Sequence, residues 1–138
     1  MKKVLFVCIH NSARSQMAEA YLNHLGGENF QAESAGIEPG KLNPVVVEAM
    51  RLDGIDISKN TTKTVDSMIE LGKTFDFLIT VCDETSAERC PYYPGAGKRL
   101  HFGFQDPSSF EGSFEQRLEK TIEIRDEIKA VILKFIED

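Results

Sequence analysis

The chain has 138 residues, 41% of them hydrophobic and 28% charged, a balance that suits one compact domain and argues against a fibrous or disordered chain. Its net charge of −6, with no cluster of Lys or Arg, argues against a nucleic-acid binder, because phosphate contacts need a basic face. The apolar run after Lys2 and Lys3 stops at Ile9 without a small-residue cleavage site, and no window approaches the roughly 20 apolar residues of a membrane span, so neither a secretory leader nor a membrane segment is expected.

Val4 to Cys8 is a short apolar run, the pattern of a strand buried on both faces of a parallel sheet. From Ser12 to Leu25 the apolar residues Ala13, Met17, Ala20, Tyr21 and Leu25 recur at helical spacing, and Gly26-Gly27 stops the helix. Phe30 to Ala35 reads as a second strand closed by Gly36. Asn43-Pro44 opens a helix with Val46, Val47, Met50 and Leu52 as its apolar positions, ending at Gly54. Val65 to Leu71 makes a shorter helix ended by Gly72, and FDFLITVC, residues 75–82, is the most strand-like segment of the chain. Arg99 to Phe102 reads as a fourth strand. Phe114 to Ile136 is a long amphipathic helix with Leu118, Ile122, Ile128, Ile132 and Phe135 among its apolar positions.

Strands alternating with helices predict an α/β fold: one doubly wound domain over residues 1–138, with a four-stranded parallel sheet flanked by helices. The ligand crevice of such a sheet lies beyond the carboxyl ends of its strands. Cys8 and Cys82 both fall at predicted carboxyl ends of central strands, so they are expected to share that crevice.

CIHNSARS, residues 8–15, is Cys-x5-Arg-Ser on a strand-to-helix turn. Successive backbone N–H groups at such a turn curl around a tetrahedral oxyanion, and the helix dipole adds partial positive charge. The expected cradle is Ile9, His10, Asn11, Ser12, Ala13, Arg14 and Ser15. Arg14 adds a planar fork for two oxygens, and the same positive environment favours the nucleophilic thiolate of Cys8. The alternative is structural: Cys8 closing a buried strand, Ser12 capping the helix and Arg14 solvated in its first turn.

Expelling an oxygen leaving group calls for a general acid, and Asp106 is the candidate. Pro107 biases it towards an extended conformation in the loop after the fourth strand, although Asp-Pro also serves simply as a turn. Cys82 and Cys90 are separated by seven mostly polar residues. They read as a redox pair, as packing and surface thiols, or as zinc ligands with Cys8 or His101; the spacing is not that of a zinc hook. No metal or cofactor is expected.

The stretches VCIHNSARSQMAEA, ESAGIEPGKLNP, ITVCDETSAERCPYYPG and HFGFQDP, with the final helix, resemble the low-molecular-weight protein tyrosine phosphatase superfamily, and within it the thioredoxin-coupled arsenate reductases. The resemblance covers nearly the whole chain and implies a flavodoxin-like fold in the cytoplasm. It implies Cys8 as nucleophile, Arg14 as oxyanion-binding residue, Ser15 as hydrogen-bond donor to the thiolate, Asn11 as stabiliser of the loop and Asp106 as acid. It further implies that arsenate, or phosphate or sulfate in its place, occupies the loop. Oxidation would then pass from Cys8 to Cys82 and to a Cys82–Cys90 disulfide that thioredoxin reduces. A glutaredoxin with glutathione is the other candidate reductant, and a monomer is expected.

Two departures stand out. The Cys82-to-Cys90 spacing is one residue longer than in the better-known relatives. Some relatives hold a potassium ion beside the loop on residues mapping to Asn11, Glu19 and Ser34, but the remaining carboxylate position is Lys63 here, so no potassium dependence is expected. The rival reading is a phosphatase acting on phosphotyrosine or aryl phosphates. The sequence DPSSF and the lack of tryptophan weaken it, because the resemblance implies aromatic residues beside the cleft in phosphotyrosine binders of this fold, including tyrosines after the Asp-Pro. A second rival, an oxyanion-binding or redox-sensing module without turnover, has no use for the acid.

Overall fold

The computed structural model describes residues 1–38, 40–82 and 93–137. Its sheet has four parallel strands in the order β2-β1-β3-β4: β1 Lys2–Cys8, β2 Phe30–Gly36, β3 Phe75–Thr80 and β4 Ala96–His101. The helices are α1 Arg14–Leu25, α2 Pro44–Leu52, α3 Val65–Glu70 and α4 Phe114–Glu137. The expected α/β architecture is present, with the two strands expected at the centre, β1 and β3, lying side by side.

β1 is apolar on both faces because both are covered. Val4, Phe6 and Cys8 pack into a core with Met17, Leu22, Met50, Ile128 and Ile132, from α1, α2 and α4. Leu5 and Val7 join Val65 and Met68 of α3 in a second core on the opposite face. Local chemistry sets the helix starts. Asn43 Oδ1 accepts from the Val45 N–H at 2.9 Å while Pro44 occupies the first helical position, and Thr64 Oγ1 accepts from the Ser67 N–H at 3.2 Å.

The structure differs from the sequence expectation in several places that bear on the site and the core. β3 ends at Thr80, so Cys82 lies two residues past the strand, although it remains buried. β4 begins at Ala96 and ends at His101, because its backbone pairs with β3 from Phe75 onward whatever its side chains. α1 begins at Arg14 with Ala13 at its N-cap and no side-chain cap, so Ser12 does not cap it. Leu52, expected on the apolar face of α2, is exposed.

The chain leaves β1 for β2 on one side and returns through α2 and α3 to β3 on the other. The connections therefore diverge between β1 and β3, and the crevice of a doubly wound sheet opens at their carboxyl ends. Cys8 ends β1 there, and Cys82 follows β3.

Candidate active site

Residues 9–13 carry the chain from β1 to α1 and curl tightly at Asn11. Its φ is 56°, a left-handed conformation that Asn tolerates better than most residues. The segment lies against the end of β2 and the residues after it: Ile37 N–H donates to Cys8 O at 3.1 Å and Glu38 N–H to Ile9 O at 2.8 Å. Two glycines permit this approach. A Cβ on Gly36 would stand 2.7 Å from the His10 carbonyl carbon, and one on Gly40 would stand 2.5 Å from its oxygen.

Within the loop Cys8 Sγ lies 2.9 Å from Ser15 Oγ, and Asn11 Nδ2 donates to the same hydroxyl at 2.7 Å. Cys8, Asn11 and Ser15 are all buried. Arg14 is only 3% exposed, so its charge needs partners. Nη1 donates to Phe104 O at 3.1 Å, and Nη2 lies 3.6 Å from Asp106 Oδ2. Its Nε has no hydrogen-bond partner among the described residues, a donor that an oxyanion in the loop would satisfy.

Asp106 forms the turn and also faces the loop. Its Oδ1 accepts from the Ser108 N–H at 2.9 Å and caps a short 3-10 turn over Pro107–Ser109, while Oδ2 faces Arg14. Ser108 Oγ accepts from Asn43 Nδ2 at 3.0 Å, which ties this turn to the start of α2. A thiol, a buried guanidinium and a carboxyl around one amide-lined loop can attack a tetrahedral oxyanion, hold its charge and protonate the departing oxygen.

Cys82 is buried, with its thiol 3.9 Å from Val7 O, on the strand that carries Cys8. Cys90 lies outside the described residues. His10 pairs with Glu38 at 3.1 Å on the surface, and His101 Nδ1 lies 2.6 Å from Thr80 Oγ1.

Beside the loop, the Glu19 carboxylate accepts from Ser34 Oγ at 3.0 Å and has Lys63 Nζ 3.9 Å away. Burial pushes the Glu19 carboxyl above its ordinary range, against the pull of Lys63 and Ser34. These residues do not fit a bound potassium ion: the Lys63 ammonium already supplies the positive charge, and both Asn11 Oδ1 and Glu19 Oε1 face donors of this chain. Sequence reasoning missed Gln16. It is wholly buried and donates through Nε2 to Asn11 O, Asn11 Oδ1 and Thr61 O. The available signal was a polar residue four before Ala20, on the stripe that α1 turns inward.

Comparison with known proteins agrees with this geometry. The family described as low molecular weight phosphotyrosine protein phosphatase matches residues 3–138. A protein from Shouchella clausii named arsenate reductase is 43% identical over 136 residues, 99% of this chain and 96% of its own length. A solved structure described as an arsenate reductase in the phosphate binding state superposes with a TM-score of 0.79 at 29% identity, covering 99% of this chain and 98% of its own. A thioredoxin-dependent arsenate reductase from Corynebacterium glutamicum, 30% identical, gives a TM-score of 0.62 over 96% of this chain and 62% of its own. On this match, and on the sheet and loop that agree with it, the chain belongs to the low molecular weight phosphotyrosine protein phosphatase family.

Proposed function

We propose that this protein is an arsenate reductase working through Cys8, Cys82 and Cys90. Arsenate sits in the loop against the N–H groups of residues 9–15 and the Arg14 fork. The Cys8 thiolate attacks arsenic; an As–O bond breaks, and the leaving hydroxyl takes the Asp106 proton and departs as water. The Cys82 thiolate then attacks Cys8 Sγ. The S–As bond breaks with its electron pair passing to arsenic, which leaves as arsenite, and a Cys8–Cys82 disulfide remains. Cys90 attacks Cys82 Sγ next, releasing Cys8 as thiolate and leaving a Cys82–Cys90 disulfide for a dithiol reductant. Thioredoxin is the reductant proposed, in the cytoplasm, where thiols stay reduced; the name of the Corynebacterium relative supports that choice.

The observation that carries this reading is the buried Cys82 thiol against the backbone of β1, just before Cys8. Phosphate-ester hydrolysis ends when water attacks the Cys8 adduct and needs no second thiol. The family description keeps a phosphatase as the second reading.

Peptide mapping of fully reduced protein, after arsenate exposure without reductant and with arsenite quantified, separates the two. One arsenite per chain with a Cys82–Cys90 disulfide is the expected result. Three remaining thiols, in protein that hydrolyses an aryl phosphate, would replace the reductase reading with a phosphatase.

A further inference from the structure

The hydrogen bond between Cys8 and Ser15 has a direction that the two side chains alone do not set, since either atom can donate. Its direction follows from groups further out. The backbone N–H of Lys63 can only donate, and it reaches Asn11 Oδ1 at 3.0 Å. That fixes the Asn11 amide with its oxygen outward and its NH2 towards Ser15 Oγ, 2.7 Å away. Ser15 Oγ is therefore an acceptor on that side, and its single proton remains for Cys8 Sγ.

Gln16 makes this arrangement rigid. Backbone carbonyls can only accept, and Gln16 Nε2 lies 3.1 Å from Asn11 O and 3.2 Å from Thr61 O. Its amide orientation is thereby fixed too, with Oε1 turned to accept from Asn60 Nδ2 at 3.1 Å. The same Nε2 donates to Asn11 Oδ1 at 3.1 Å, the oxygen that Lys63 N–H already holds. A wholly buried amide with both ends committed thus clamps the left-handed Asn11 between the loop and the segment 60–63.

We infer that Gln16 is a positioning residue for the nucleophile: by holding Asn11, it directs the Ser15 hydroxyl proton at Cys8 Sγ and so selects the thiolate. The inference rests on the proposed role of Cys8, but it is independent of which oxyanion enters. Packing alone would not require this residue, since Met would fill the same volume.

The test is iodoacetamide alkylation of Cys8, followed by peptide mass, in Gln16→Met, Ser15→Ala and the double variant, with far-UV circular dichroism to verify folding. Gln16→Met is expected to slow Cys8 alkylation about 5- to 10-fold at pH 6. The rates of the two proteins should converge in strongly alkaline solution, where the hydroxyl proton no longer decides which form of sulfur reacts. The double variant should be no slower than Ser15→Ala, because both changes act through one proton. Equal rates for Gln16→Met and the parent at pH 6, or effects that add in full, would overturn the inference. Should Gln16→Met not fold, the parent protein decides by NMR: Gln16 Nε2 protons are expected to exchange slowly with solvent, and the Asn11 Nδ2 resonances to move when Cys8 is alkylated. Rapid exchange and unmoved resonances would overturn it. Because alkylation needs no arsenate turnover, a failed arsenate assay leaves this result standing.

Discussion

Arg14 divides its guanidinium between a structural and an exchangeable partner. Phe104 O holds Nη1 in a buried bond, whereas the contact of Nη2 with Asp106 is longer, at 3.6 Å, and its carboxyl is partly exposed. On the proposed mechanism an arriving oxyanion competes with that carboxylate for the fork, and the same carboxyl supplies the proton. Asp106→Asn should then bind phosphate more tightly than the parent by calorimetry, while turnover falls about 10²-fold or more. Weaker phosphate binding would show that the carboxyl does not compete. Lys63 gives a second prediction at this scale. With its ammonium 3.9 Å from Glu19, activity should be equal in potassium and sodium salts at matched ionic strength, and a several-fold rise with potassium would refute it. The placement of Cys8 and Arg14 was legible in the sequence because the seven residues from one to the other span a single strand-to-helix turn. Gln16 was not, since its partners Asn60 and Thr61 lie more than 40 positions away and no local pattern brings them to it.

The loop between β1 and α1 keeps its shape because the chain after β2 can lie directly against it. Gly36 marks the contact. A methyl group there would meet the backbone of His10, Asn11 and Glu38 at 2.7–2.9 Å, where nothing can swing aside as a side-chain end would. Gly36→Ala should lower kcat/KM by about 10²-fold by displacing the loop on the order of an ångström. Steady-state kinetics beside a melting curve would check this, and unchanged kcat/KM would mean that the two segments can separate freely. The elements themselves were legible where burial writes a pattern: β1 and α2 carry their runs and caps on the surface of the sequence. β4 was misplaced by three residues because it is an edge strand with mostly exposed side chains, fixed by backbone pairing that leaves no hydrophobic signature. Leu52 misled because it is the last residue of α2, where the helical spacing continues but the side chain is exposed.

Across the molecule, three helices meet at one carboxylate. Asp53, at the end of α2, accepts from Tyr21 OH of α1 at 2.7 Å and from Lys129 Nζ of α4 at 3.1 Å. The Tyr21 hydrogen bond, with Lys129 assisting, holds its carboxyl below the ordinary value, whereas burial and the adjoining carboxylate push the Tyr21 hydroxyl upward. A depressed carboxyl contributes stability above its unfolded value of 3.8 and loses it as pH falls through the folded one. Asp53→Asn should thus cost about 1–2 kcal/mol at pH 7 in denaturant titrations, and the gap from the parent should close as the pH drops below that value. A gap that persists in acid would assign the cost to shape rather than charge. The order of strands was legible in outline, since buried strands alternating with helices admit few arrangements. It also sets a timetable for biosynthesis. β1 leaves the ribosome first, yet it is complete only when β3, some 70 residues later, closes its second side. The thiol emerging earliest is therefore among the last groups to be enclosed. The groups that share its core arrive later still: Phe104, and then Ile128 and Ile132 of α4, close over it only as synthesis ends.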